Sequence, residues 1–252
     1  MELTVLGSGA AVPSLRRGAP GFLLAAGRSD LILLDSGAGT LRRLLAAGVR
    51  HDQITHALYS HNHLDHTGEL ASWLFLGRVP GHARTTPLTV AGSEGFMTMA
   101  AGLRAVFHPW LDDEGAVTWK TMAAGGRTLA GEGWEARAFT VDHIPSSLGF
   151  RVTEDSGRSL AYTGDTAFCE ELVELARGVD LLLIEASAPD GEGVKGHMTP
   201  SEAGEVARRA GAGKVVLTHF YPRCDEVDML AQLRRVWRGE ALLAEDGLRI
   251  PV

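Results

Sequence analysis

Ser60-His61-Asn62-His63-Leu64-Asp65-His66 decides how the rest of this chain is read. Three of the ten histidines and one aspartate fall within six residues. The apolar-leaning run His56-Ala57-Leu58-Tyr59 precedes the cluster, and a helical pattern opening at Thr67-Gly68-Glu69 follows it. The spacing therefore predicts imidazoles and a carboxylate in a loop where a short strand hands over to a helix. Such donors suit a borderline cation such as zinc. In His-x-His both rings can face one ion. Asp65 and His66 are adjacent, so their side chains diverge from that pair and suit a neighbouring ion.

Working outward, Leu3–Leu6, Gly21–Ala25 and Leu31–Leu34 read as buried strands. Leu41, Leu44 and Leu45 follow as a helix stopped by Gly48. Leu88–Ala91 is a strand and Gly95–Phe107 a helix, while 108–133 shows no clear period. Trp134–Val141 alternates like a half-buried strand. Leu148–Val152 and Ser159–Thr163 form a hairpin across Asp155-Ser156-Gly157. A helix over Phe168–Ala176 leads to the apolar strand Leu181–Ile184. Thr199-Pro200-Ser201-Glu202 is a capping box opening a helix that ends near Gly211. Val215–Leu217 is the next strand, and Asp225–Arg238 the last long helix. Two β-layers flanked by helices fit this order better than one parallel sheet. No linker divides the chain, so residues 1–252 are expected to form a single domain. Asp35-Ser36-Gly37 and Gly164-Asp165-Thr166, each at a strand end, echo one another as if the halves were distant copies.

Three more isolated polar residues stand at strand ends: His143, Asp165 and His219. Strand ends converge on one rim of a sheet, where sites form. His61, His63 and His143 can hold one metal, Asp65, His66 and His219 a second, and Asp165 can bridge them. Two ions about 3.5–4 Å apart generate hydroxide at neutral pH and clamp a scissile phosphate or carbonyl.

Composition sets the limits. The 252 residues are 45% hydrophobic and 22% charged, with a net charge of −7. That balance is ordinary for a globular protein and argues against affinity built on broad phosphate-backbone contacts. Cys169 and Cys224 form no C-x-x-C pair, so reduced thiols in a cytoplasmic setting are expected. No signal peptide and no membrane partner are expected, because no basic-then-apolar N-terminus and no run of about 18 apolar residues occurs.

The ordered set His61-x-His63-x-Asp65-His66, His143, Asp165, His219 resembles the metallo-β-lactamase superfamily of dinuclear zinc hydrolases, over nearly the whole chain. That resemblance implies an α/β fold, a four-layer αβ/βα sandwich with two zinc ions at one edge; manganese and iron fit the same donors. Leu6-Gly7-Ser8-Gly9-Ala10-Ala11-Val12-Pro13, Asp35–Thr40, Gly149-Phe150-Arg151, Tyr162–Thr166, Glu185, Gly196-His197-Met198-Thr199 and Leu217–Arg223 are similar to the ribonuclease Z and phosphodiesterase branch. The resemblance implies that Glu185 orients His197, and that His197 contacts the phosphate and assists the leaving group. Asp65, Glu185 and His197 are then the expected catalytic residues. Members of that branch are often dimers, so a homodimer is expected.

Only residues 144–164 separate His143 from Asp165, filled by one hairpin. The branch's protruding tRNA-gripping arm is therefore missing. The expected partner is a small or single-stranded phosphodiester, such as a cyclic nucleotide, a short RNA end or an aryl phosphodiester. Lactone, thioester or β-lactam hydrolysis on the same fold is the alternative, and a metal- or nucleic-acid-binding module without turnover a third. Asp35 is expected to fix a histidine tautomer or a loop. Arg223 meets either a substrate anion or a surface carboxylate. His51, His56, His82 and His108 read as surface or structural, and the Met97, Met99 and Phe107 stripe as core or dimer interface.

Overall fold

The structure is a computed structural model that describes residues 1–84, 86–112, 115–126 and 128–252. The first half builds β1 (Glu2–Gly7), β2 (Gly21–Ala26), β3 (Asp30–Ser36), β4 (His56–Tyr59), β5 (Leu88–Gly92) and β6 (Val117–Thr121). The second builds β7 (Leu129–Gly131), β8 (Trp134–Thr140), β9 (Leu148–Glu154), β10 (Ser159–Tyr162), β11 (Leu181–Glu185), β12 (Lys214–Thr218) and β13 (Glu240–Leu243). The chain then returns to the first sheet as β14 (Arg249–Pro251), antiparallel to β1. Two seven-stranded sheets result, in the orders β14-β1-β2-β3-β4-β5-β6 and β13-β12-β11-β10-β9-β8-β7. Each is antiparallel at one end and parallel at the other.

Side chains alternate across a strand, so one strand feeds two cores. Phe22, Leu24, Ile32 and Leu34 pack with Phe150, Val152, Leu160 and Tyr162 between the sheets. Leu23 and Leu33, one residue out of phase, face the opposite side. There they pack with Leu44, Leu70, Trp73 and Phe96 from α1 (Thr40–Ala46), α3 (Leu70–Leu76) and α4 (Glu94–Val106). The single-turn helix α2 (Leu64–Thr67) precedes α3. On the second sheet, α5 (Glu170–Leu175), α6 (Pro200–Ala210) and α7 (Met229–Leu233) contribute Leu172, Val206 and Leu233. The layers are helix, sheet, sheet, helix. Strands β11 and β12 are covered on both faces, which is why Leu181–Ile184 and Val215–Leu217 read as unbroken apolar runs.

The capping box is present: the Thr199 side chain caps the start of α6, Glu202 reaches back to the Thr199 backbone, and Gly211 closes the helix in the left-handed region. Between His143 and β9 lies only a short bend, and β9 and β10 form the expected hairpin. No arm extends there.

The expected helix over Asp225–Arg238 is not formed. Pro222–Glu226 is a 3-10 turn, Val227 is extended at φ −132°, and a new helix restarts at Met229. Asp228 caps that restart, its carboxylate accepting the Ala231 N–H at 2.8 Å. The side chain of Asp225 is drawn instead to Arg17, 208 residues away in sequence. In the stretch without a clear period, β6 is an edge strand and β7 is three residues long; Asp113, Glu114 and Arg127 lie outside the described residues.

Candidate metal centre

The segment after β4 runs extended to His63, which precedes α2 with φ −64° and ψ 149°. This loop can seat only because its neighbours are small. A Cβ on Gly37 would fall 2.0 Å from the Asp65 carbonyl oxygen. Gly164, at φ 59°, likewise leaves room for the Ser60 side chain. Asp165 follows Gly164 from the end of β10. His219 leaves β12 in the left-handed region at φ 63°, a conformation that costs a residue with a Cβ about 1–3 kcal/mol. The Phe220 N–H donates to the Ser8 carbonyl at 3.0 Å, and the Arg17 guanidinium lies 4.4 Å from the Phe220 ring centroid, holding that turn in place.

These elements bring all seven cluster residues together in two groups. The donor atoms of His61, His63, His143 and Asp165 lie within 4.8 Å of one another, as do those of Asp65, His66, Asp165 and His219. Asp165 belongs to both, one oxygen to each. Its Oδ2 is 3.8 Å from His61 Nε2 and from His143 Nε2. Its Oδ1 is 3.2 Å from His66 Nε2 and from His219 Nε2.

Hydrogen bonds at the far side of each ring decide which nitrogen carries the proton. Asp35 Oδ2 accepts from His66 Nδ1 at 2.8 Å, and the Gly196 carbonyl accepts from His143 Nδ1 at 2.9 Å. The Ser60 hydroxyl donates to Asp35 Oδ2 at 2.7 Å, which leaves its lone pairs for His61 Nδ1 at 3.0 Å. The Ser187 hydroxyl does the same in the other half, donating to Glu185 Oε2 at 2.6 Å and accepting from His219 Nδ1 at 2.9 Å. One hydroxyl proton can go to only one acceptor. The inward Nε2 atoms are therefore bare lone pairs, and those of His66 and His219 face each other at 3.3 Å.

Two lone pairs at that distance repel unless a proton or a metal cation lies between them. His61 Nε2 and Asp165 Oδ1 are buried with no hydrogen-bond partner among the described residues, an arrangement that is costly for unligated groups. Charge points the same way. Burial and the neighbouring His66 hold His61 well below the ordinary imidazole range. Burial would push Asp165 up, but His219 and His66 outweigh it and keep it well below the carboxylate range. Burial pushes His66 down, yet Asp165 and Asp35 on either side reverse this and raise it, so its inward nitrogen favours a positive charge, carried by a proton or, in the proton's place, by a metal ion. Neutral imidazoles and an ionised carboxylate are the forms that bind a metal. The donor set fits two borderline divalent cations.

Asp35 performs the expected task of fixing a tautomer and more. Fully buried, it also accepts from the Ser60 N–H at 2.8 Å and the Tyr162 hydroxyl at 2.5 Å. Glu185 is its counterpart, 1% exposed: Oε1 accepts from Thr166 N at 2.7 Å and His197 Nδ1 at 2.9 Å, and Oε2 accepts from Ser187 and from Met198 N at 3.1 Å. His197 thus presents Nε2 to a cavity of about 790 Å³ that also exposes His63, Asp65, Asp165, His219 and Tyr221.

Arg223 is not brought into this cavity. It is half exposed and paired with Glu192 and Glu226, the surface-carboxylate alternative. His51 and His82 lie away from the cluster, ring to ring at 6.4 Å, and His56 packs edge-on against Trp134. Sequence reasoning missed Ser60, Ser187 and Tyr221. The two serines each lie within two residues of a cluster residue or its carboxylate partner, and Tyr221 follows His219 by two.

The serines yield a prediction. Ser187→Ala leaves both His219 Nδ1 and Glu185 Oε2 short of a partner. Affinity for the more weakly held of two zinc equivalents is expected to fall about 10–100-fold, with Ser187→Thr restoring it. Competition with a chromogenic chelator measures this, and equal affinity in Ser187→Ala would remove the serine from the account.

A protein-family profile described as a beta-lactamase superfamily domain matches residues 31–220. An uncharacterized protein of Mycobacterium tuberculosis is 32% identical, over 95% of this chain and 88% of its own length. A protein named ribonuclease Z from Mycobacterium sp. (strain KMS) is 30% identical, over 100% of this chain and 96% of its own. Among solved structures, the metallo-beta-lactamase fold protein YhfI from Bacillus subtilis superposes with a TM-score of 0.84 at 22% identity, covering 99% of both chains. With the sandwich and the paired donor groups already in place, this match establishes that the chain belongs to the metallo-β-lactamase superfamily.

Proposed function

We propose that the chain is a dinuclear metal-dependent phosphodiesterase. The observation that carries this is His197: its Nδ1 is fixed on a buried carboxylate, and its Nε2 opens into the same cavity as Asp165 and His219. His61, His63, His143 and Asp165 would hold one ion; Asp65, His66, Asp165 and His219 would hold the other. When bound, zinc or a similar cation supplies an acidified water and positive charge beside a phosphate.

The chain's own residues supply the rest. Burial pulls the His197 imidazole down, but the hydrogen bond and charge of Glu185 outweigh it and raise it above the ordinary histidine value. A protonated His197 Nε2 can donate to a phosphate oxygen or to the leaving oxygen. Burial pushes the Asp65 carboxyl up, but His219 and His66 bring it below the usual value. Ionised, it can accept a proton from water in the cleft.

His197→Ala is expected to lower kcat about 10²–10⁴-fold on a diester with an alkoxide leaving group. The loss should be much smaller with p-nitrophenolate, which needs no protonation. Equal losses on both would rule out proton donation to the leaving oxygen. Lactone or thioester hydrolysis is the second reading, favoured by the apolar walls of the cleft. A metal-loaded screen of phosphodiesters against acyl substrates decides between the two, and turnover of acyl substrates alone would overturn the first.

The finer expectations of setting and assembly join this proposal. Cys169 and Cys224 are both unpaired, as reduced cytoplasmic thiols would be. Phe107 and Trp110 expose apolar surface, Trp110 with its ring 6.4 Å from that of Phe75, which supports a homodimer; a monomer mass by light scattering would dismiss it. Among the described residues no helix is long and apolar enough to cross a membrane.

A further inference from the structure

The walls of the cavity differ from its floor. Imidazoles and carboxylates form the floor, whereas Ala11, Val12 and Pro13 from the β1–β2 loop, together with Leu64, line the sides. Val12 is 44% exposed and Leu64 80% exposed. Leu64 stands between His63 and Asp65 in sequence, so an apolar side chain is presented to water beside the most polar stretch of the protein. Leu15, in the same loop as Val12, is fully exposed as well. Isolated exposed apolar residues are ordinary; several rimming one cleft with a polar floor mark a binding surface.

Among the described residues the cavity also lacks a free cation. Arg17 is the one arginine or lysine among the described residues that lines the cavity. Its guanidinium is buried and four of its five N–H groups are engaged: Nε and Nη2 donate to Asp225 Oδ1 at 3.0 and 2.8 Å, and Nη1 donates to Ser8 Oγ and the Ala244 carbonyl at 2.9 and 2.7 Å. Arg16, farther out, is paired with Asp225 and Glu245, and Arg223 with Glu192 and Glu226. Lys195 is exposed on the loop before His197 but does not line the cavity. A second phosphate laid along these walls would lose hydration and gain no counter-charge. A flat uncharged group would lose little hydration and cover Val12, Pro13 and Leu64. Tyr221 adds an aromatic edge to the same cavity, 6.1 Å by ring centroid from both His197 and His219.

We propose that the substrate is a phosphodiester carrying one anionic phosphate and, beside it, a flat uncharged group that lies on the Val12–Pro13, Leu64 and Tyr221 walls. This rests on the phosphodiesterase reading and narrows it. The wall selects against polyanionic chains, for which the described residues place no free cation in the cavity.

The test uses three esters with the same non-aromatic trifluoroethoxide leaving group, followed by fluorine NMR, and the zinc-loaded full chain: trifluoroethyl methyl phosphate, trifluoroethyl thymidine 5′-phosphate, and the latter with an added 3′-phosphate. The thymidine ester is expected to exceed the methyl ester in kcat/KM by at least about tenfold, from apolar area covered. The 3′-phosphorylated ester is expected to fall about tenfold below the thymidine ester. Leu64→Lys and Val12→Lys should each narrow that second gap, by supplying the missing cation, and should lower the preference for thymidine over methyl. A wild-type enzyme that handles the 3′-phosphorylated ester as well as its parent, or the methyl ester as well as the thymidine ester, overturns the proposal and leaves the phosphodiesterase reading standing. Turnover of none of the three overturns both.

Discussion

Asp165→Asn is expected to lower hydrolysis by more than about a thousandfold, because both groups of donors lose their shared member at once. The residue is 2% exposed, and its two oxygens face different histidine sets. Asparagine keeps the shape and one acceptor oxygen but replaces the other with an amide nitrogen, which repels a cation. The substitution also removes the charge that offsets two bound ions. A second readout separates this from misfolding. Ligand linkage stabilises a protein by about 4 kcal/mol at a thousandfold excess over Kd. Zinc should therefore raise the melting temperature of the wild type clearly more than that of Asp165→Asn, which keeps only the His61, His63 and His143 imidazoles around one ion, while the metal-free melting temperatures stay close. A variant that gains as much from zinc as the wild type would show that Asp165 bridges nothing.

Glu185→Gln is expected to be the second most damaging change, for a different reason. Four donors converge on its two oxygens: Thr166 N and His197 Nδ1 on one, Ser187 Oγ and Met198 N on the other. Glutamine offers one oxygen and one NH₂. Whichever way the amide is turned, two donors lose their acceptor in a fully buried site, at about 1–3 kcal/mol each. His197 also loses the carboxylate that keeps it protonated. Stability should fall by roughly 2–6 kcal/mol in denaturant titration. Activity on alkoxide-leaving diesters should fall at least as far as in His197→Ala. A Glu185→Gln enzyme of normal stability and activity would show that the buried charge orients nothing.

The contrast between these residues explains what could be read from the chain alone. His61–His66 announced a candidate metal site because the donors are neighbours in sequence. His143, Asp165 and His219 were legible because each follows a strand with a plain pattern, alternating before His143 and apolar before Asp165 and His219. Ser60 and Ser187 were not, because a serine gains its role only when a carboxylate from another element reaches it: Asp35 lies 25 residues before Ser60. The same holds for Tyr162, whose hydroxyl meets Asp35 across 127 residues. The fold followed this pattern. Strands buried on both faces were visible, whereas the edge strand β6, three-residue β7 and β14 owe their pairing to neighbours rather than to their own period. The helix expected after His219 failed because Pro222 and the Arg17–Asp225 pair hold that segment as a turn. The sequence echo between Asp35 and Asp165 also sharpened. The matched partners are Asp35 and Glu185, each joined to one histidine directly and to another through a serine.

The most direct test of the paired donor groups and their chemistry is a titration of the metal-free protein with zinc while the hydrolysis of p-nitrophenyl thymidine 5′-phosphate is followed. Activity should be absent at the start and rise to a plateau at two equivalents per chain. Full activity in the metal-free protein, or none at any zinc ratio, would contradict a dinuclear phosphodiesterase.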